Sequence, residues 1–122
     1  MHEQSKWATD KLTALRLGRR LVAEVSASRP DRRAFVDITP DRDPRDAQAA
    51  REGWVRGAGS RNFRLEHWEY DASRIDGFDY DIGAVLVRAA SAAGESALEG
   101  VITLWGLRPD CFGYAWESDD PR

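Results

Sequence analysis

One histidine sits between two acids in the stretch Glu66-His67-Trp68-Glu69. A histidine beside a carboxylate can act as a general base or a metal ligand, because its pKa lies near neutrality and the acid can orient the ring. Read as a strand, residues 62–70 place His67 and Glu69 on one face with Phe63 and Leu65. Glu66 falls on the other face with Arg64, Trp68 and Tyr70. The second histidine, His2, lies within residues 1–8, where fraying is expected, and Cys111 is the only thiol. A zinc site of His and Cys therefore lacks ligands, and we expect neither a metal nor a cofactor. Cys111 with His67 as nucleophile and base is conceivable. However, Pro109-Asp110-Cys111 follows an expected helix rather than opening one, so no helix dipole lowers the thiol pKa. His67 and Glu69 are the weak catalytic candidates, and an active cleft would need Glu66, Asp76, Asp79 and Asp81 to converge on them.

Three further patterns resemble sites and fail on detail. Asp76, Asp79 and Asp81 could hold a hard cation, but a calcium loop begun at Asp79 has Ala84 where glycine belongs and Ala90 where a carboxylate belongs. The run Arg56-Gly57-Ala58-Gly59-Ser60-Arg61 could cradle an anion. It follows a helical pattern and enters a strand, the reverse of a dinucleotide fingerprint, so it reads as a helix end and loop. Arg16, Arg19, Arg20, Arg29, Arg32 and Arg33 make a basic stretch of the kind that phosphate binding needs. Asp31 interrupts it and the whole chain carries a net charge of −3, which argues against nucleic acid as the partner. The nucleophile-elbow, P-loop and HExxH patterns are absent from the sequence.

The C-terminal stretch FGYAWESDDPR places Phe112, Tyr114 and Trp116 at alternate positions and follows them with Glu117, Asp119 and Asp120. Aromatic side chains at a chain end repay the entropy of ordering only when they are buried, so residues 112–116 should dock on the domain. The acids would then stand at a fixed place near solvent. Together with Trp68, Tyr70, Asp76 and Asp79, the residues Trp116, Glu117, Asp119 and Asp120 are the candidate surface for a basic protein, with charge steering the encounter and aromatics holding it.

The elements that would position these groups follow from periodicity. The chain of 122 residues is the size of one domain, so residues 1–122 are read as a single unit, with 107–122 an irregular docked tail. Ala14, Leu17, Leu21 and Val25 recur at helical spacing, which predicts one amphipathic helix from Thr9 or Asp10 up to Pro30. Residues 34–39 read as a strand. Asp43 and Pro44 open a second helix that ends at Gly57, with Trp54 as its anchor. Residues 62–70 and 80–90 read as an antiparallel pair, the latter apolar enough to be central. Ser96 and Glu99 form a capping box for a last helix that puts Trp105 in the core and stops at Gly106, with a strand as the competing reading of this segment. The expected class is α+β, in the order α-β-α-β-β-α plus tail: a small, mostly antiparallel sheet with helices packed on one face.

Charge divides unevenly: residues 1–61 carry 13 Arg and Lys against 9 Asp and Glu, whereas residues 62–122 carry 5 against 12. Such asymmetry either marks a charged partner or is consumed when the halves pair. No apolar run approaches the ~18 residues of a membrane span. The N-terminus has no apolar signal region and no cysteine pair exists, which together point to a cytoplasmic location. Arg-over-Lys usage and abundant Ala suggest a bacterial source. Two function classes remain. One is a non-enzymatic protein-binding domain, of the immunity or antitoxin type, that recognises a basic protein. The other is a small enzyme or enzyme accessory subunit built around His67 and its neighbouring carboxylates.

Overall fold

In the computed structural model, the structure describes residues 7–41, 51–53, 62–75 and 83–120. Helix α1 runs Thr9–Arg16 and then stops. Gly18, at φ 84°, lets the chain turn left-handed, the Gly18 amide donates to the Leu15 carbonyl, and the Arg19 amide reaches back to the Ala14 carbonyl at 2.9 Å. These are the two bonds of the Schellman ending, which satisfies helix-terminal carbonyls and requires a residue that accepts positive φ. The single helix expected up to Pro30 is therefore corrected, because strand β1, Leu21–Val25, takes over three residues later. Leu21, Ala23 and Val25 alternate inward along it, so the apolar positions that fit a helical period fit a strand period as well.

Strands β2 (Arg32–Pro40) and β3 (Asn62–Asp71) pair antiparallel along nine partners, from Arg32↔Asp71 to Pro40↔Phe63. Strand β4, Val85–Ala93, pairs with β3 through a bulge between His67 and Trp68. A two-residue strand β5, Gly113–Tyr114, closes the far edge on β1, so the sheet runs β4-β3-β2-β1-β5. The apolar segment expected at the centre is at the edge instead. Its Val85, Leu86 and Val87 are 47, 44 and 46% exposed, and the rest of the strand is mostly alanine. Residues 80–82 of that expectation lie outside the described residues.

Helix α2, Gly94–Leu104, follows β4 at once, turned by Gly94 at φ 87°. It begins two residues before Ser96, and Ala93 caps it with no side-chain bond, so the expected capping box does not form. The helical reading of this segment stands, and Gly106 ends it with the same pair of bonds as Gly18: Gly106 amide to Thr103 carbonyl and Leu107 amide to Ile102 carbonyl. Arg51 and Glu52 are helical, but Gly53 is a turn at φ 75°, so the helix expected to run on to Gly57 is corrected there; residues 43–50 and 54–57 lie outside the described residues.

The sheet has two unlike faces. On one, Leu15 of α1 and Leu98 and Ile102 of α2 bury with Leu21, Val36, Ile38, Phe63 and Leu65 in the main core. Glu95 in the first turn of α2 accepts both Nε and Nη2 of Arg16 in the last turn of α1, at 2.8 and 2.9 Å, tying the two helices together. The other face carries a smaller cluster of Val22, Phe35 and Tyr70, with Trp68, Ile75 and Ala115 packed on it. Trp7, within the segment expected to fray, is 6% exposed and packs on Phe112 at 5.8 Å between ring centroids. Trp105, expected in the core, is only partly buried against it.

Candidate functional site

His67 and Glu69 share the helix-covered face of β3, each engaged by a different partner. His67 is 7% exposed, and its Nδ1 accepts from Nε of Arg88 on β4 at 3.1 Å. Arg88 in turn lies 4.4 Å over the Trp105 ring. An Nδ1 that accepts places the ring proton on Nε2, which is buried without a hydrogen-bond partner. Burial first, and then the Arg88 charge, push the imidazole below its ordinary pKa, against a smaller opposing pull from Glu69. Glu69 is 6% exposed and receives the Ser28 amide at 2.8 Å and the Ser28 hydroxyl at 2.7 Å. Burial pushes this carboxyl up, but the two Ser28 bonds, with the Arg32 charge, outweigh it and hold the group below its ordinary value. The pair is a neutral imidazole and an anchored carboxylate that brace the loop before β2 and the end of α2.

The opposite face holds a second buried acid. Asp37 on β2 is 5% exposed, and one of its oxygens accepts from Arg20 at 3.3 Å while the other is buried without a partner. Burial raises its pKa, Arg20 opposes the rise, and the nearby charges of Asp120 and Glu66 add to it. Arg20 also holds Asp120, whose side chain is only 3% exposed. Asp120 was expected in a solvent-facing binding surface; instead it is an internal clamp on Arg20. Tyr70 is corrected in the same way. It is 1% exposed and fills the smaller cluster between Phe35 at 6.1 Å and Trp68 at 6.5 Å. Trp68 is half-buried beside it. Asp76, Asp79 and Asp81 lie outside the described residues.

The C-terminal tail crosses the β1 edge from one face to the other. Phe112 enters the main core, Gly113 and Tyr114 pair with Val22 and Leu21, and Ala115 packs on the smaller cluster. The Tyr114 hydroxyl donates to Asp10 on α1 at 2.8 Å, and Glu117 turns back to accept the Tyr114 amide at 3.2 Å. These bonds set the Tyr114 ring, and Trp116 lies flat on it, with centroids 4.4 Å apart and planes 3° from parallel. Trp116 is nonetheless 69% exposed. The side chains of Glu117 and Asp119 are 57 and 72% exposed. The Asp10 carboxyl is held below its ordinary range, chiefly by the Tyr114 hydrogen bond. An open cleft of about 350 Å³ runs between Trp116 and α1, floored by Ala14 and Leu17 and rimmed by Asp10 and Arg19. A second cleft of about 240 Å³ lies on the other side of Tyr114, among Glu24, Cys111, Glu117 and Asp119. Val22 and Glu24 of that cleft straddle the face opposite His67, so Cys111 and His67 are not brought together.

Much of the charge asymmetry is consumed within the molecule. Arg16 pairs with Glu95, Arg20 with Asp120, Arg33 with Asp119, and Lys11 stands 4.0 Å from Glu117. Each of these joins the basic half to the acidic half, and three of the six arginines of the basic stretch, Arg16, Arg20 and Arg33, are thereby engaged within the fold. Ser28 and Arg88 are the residues of these sites that sequence reasoning passed over. Arg88 meets His67 through cross-strand register, and Ser28 reaches Glu69 from the loop before β2, neither of which is local in sequence. Among the described residues no helix is long and apolar enough to cross a membrane, and no group of three or more His, Cys, Asp or Glu could hold a metal ion. No protein-family model matches the chain, and no curated protein and no solved structure matches it either.

Proposed function

We propose that this chain is a non-enzymatic protein-binding domain and that it engages a basic protein through the outer side of its tail. The observation that carries the reading is Trp116, 69% exposed yet fixed by stacking on a tyrosine that is itself hydrogen-bonded to α1. A tryptophan ordered in advance loses little conformational freedom on binding, and large aromatic side chains dominate interface hot spots. Exposed Glu117 and Asp119 beside it supply the charge that would steer a cationic surface. An inhibitor of the immunity or antitoxin type has this physical make-up. The catalytic alternative draws less support, because His67 and Glu69 are buried and both are engaged in the framework.

The test is affinity capture from a lysate of the encoding organism at two salt concentrations, with wild type, Trp116→Ala and Asp119→Lys compared and captured proteins identified. The reading expects one basic protein, retained by wild type at low salt and lost with salt or with either variant. Equal capture by all three chains, or capture of acidic proteins, overturns it.

A further inference from the structure

Resting on that reading, we infer that the open face of Trp116 takes the guanidinium of an arginine side chain from the partner. Tyr114 has two faces. The Lys11 ammonium lies 3.7 Å over its centroid, and the Trp116 ring lies parallel to it at 4.4 Å. Both cannot occupy the same side, since an ammonium there would overlap the indole. The three groups therefore form a column, with a cation at one end, two stacked rings, and an indole face at the other end turned to solvent.

The column already accepts a cation at its tyrosine end, and tryptophan is the better cation–π acceptor. A guanidinium matches the remaining face better than an ammonium does, because it is planar, weakly hydrated and able to stack while its edge donates hydrogen bonds. An acceptor for those edge bonds is at hand in Asp10, which lines the cleft beside the indole, and the exposed carboxylates of Glu117 and Asp119, on the other side of Tyr114, add attraction at longer range. The nearby cations Lys11 and Arg33 already face carboxylates: Lys11 stands by Glu117, and Arg33 holds Glu24 and Asp119. Arg19 is the opposing charge, on the rim of the same cleft. It weakens an incoming cation by like-charge repulsion, and that gives the inference a variant that should improve binding.

The probe is an amidated hexa-arginine peptide, with hexa-lysine and hexa-citrulline as controls. The readout is the Trp116 indole N–H signal in a nitrogen-resolved NMR spectrum, assigned by its loss in Trp116→Phe. Hexa-arginine should move that signal, binding at least about threefold tighter than hexa-lysine, and hexa-citrulline should leave it in place. Arg19→Ala should tighten hexa-arginine about two- to fivefold at low salt, and Asp10→Asn should loosen it by a similar factor. An unmoved Trp116 signal, equal binding of the lysine peptide, or weaker binding by Arg19→Ala overturns the assignment. These failures are separable from failure of the proposed function. Lysate capture that depends on Trp116 while hexa-arginine leaves its signal unmoved would keep the protein-binding reading and remove arginine as the recognised group.

Discussion

Phe112 and Trp116 stand four residues apart on one tail and have opposite fates. Phe112 is 3% exposed, locked against Trp7 in the main core, whereas Trp116 is 69% exposed on a stack that the fold holds from behind. The acids after them divide in the same way. Asp120 is clamped inside on Arg20, and its neighbour Asp119 reaches Arg33 from solvent, 72% exposed. The inner set fastens the tail and the outer set is presented by it. The division is one of place along the tail: Phe112, ahead of β5, meets the main core, Trp116 stands outside it in the turn at Ala115–Glu117, and beyond that turn Asp119 stays in solvent while Asp120 comes back to Arg20. If the comparison is right, damage to the two sets should register on different instruments.

The largest stability effect belongs to Phe112→Ala. It removes a fully packed aromatic and its contact with Trp7, at a cost of about 3–5 kcal/mol. Denaturant unfolding should show the free energy of unfolding falling by that amount, as a lower midpoint with an unchanged slope. A loss under about 1 kcal/mol would mean that the tail is not part of the cooperative unit.

Asp120→Asn comes next, with an expected cost of about 1.5–3 kcal/mol for weakening a charge-assisted bond in a nearly buried setting. It also carries a pH signature through Asp37. In the folded chain Asp37 sits above its ordinary value of 3.8, raised by burial and, in part, by Asp120. Between the two values the folded state holds a proton that the unfolded chain has released, so this group's contribution to stability grows as pH falls through the window and is lost as pH rises. Removing the Asp120 charge should lower the Asp37 titration midpoint, read by carbon NMR of its carboxyl. A midpoint that stays put or rises would break the link between the tail's inner acid and the sheet. Glu69 has the opposite sign. Its pKa is held below 4.5, so its contribution is full above that value and disappears as pH falls through the lower one. Glu69→Gln should therefore be most costly near neutrality, and the gap to wild type should close in acid.

The two glycines show how far such a division could be read in advance. Gly18 and Gly106 end helices with the same two backbone bonds, yet only Gly106 was read as a stop. After Gly106 the apolar period breaks, whereas after Gly18 it continues through Leu21 and Val25, which satisfy both a helical and a strand period. Antiparallel pairing, three of the strands and the last helix were legible, because alternation, helical spacing and the Gly106 stop are local, whereas the Ser96 and Glu99 capping box, just as local, does not form. The position of β4 was not, since an apolar run can be central or can simply be left exposed at an edge. The fate of Asp120 was not legible either. An acid two residues from a chain end reads as solvated unless one knows that Arg20, a hundred residues earlier, is waiting for it.

Trp116→Ala should have the smallest effect on stability. The indole is mostly in water, so its removal gives up little buried area, and an exposed stacked pair contributes at the low end of about 0.5–1.5 kcal/mol. Tyr114 keeps its hydrogen bond to Asp10, its Lys11 contact and its pairing with Leu21, so the ring stays where it is without its neighbour. The expected result is an unfolding free energy within about 0.5 kcal/mol of wild type, alongside full loss of whatever the tail captures. That combination cannot come from a residue whose work is structural, and Phe112→Ala cannot produce it. A cost as large as that of Phe112 would place Trp116 with the inner set and erase the distinction between the two sides of the tail.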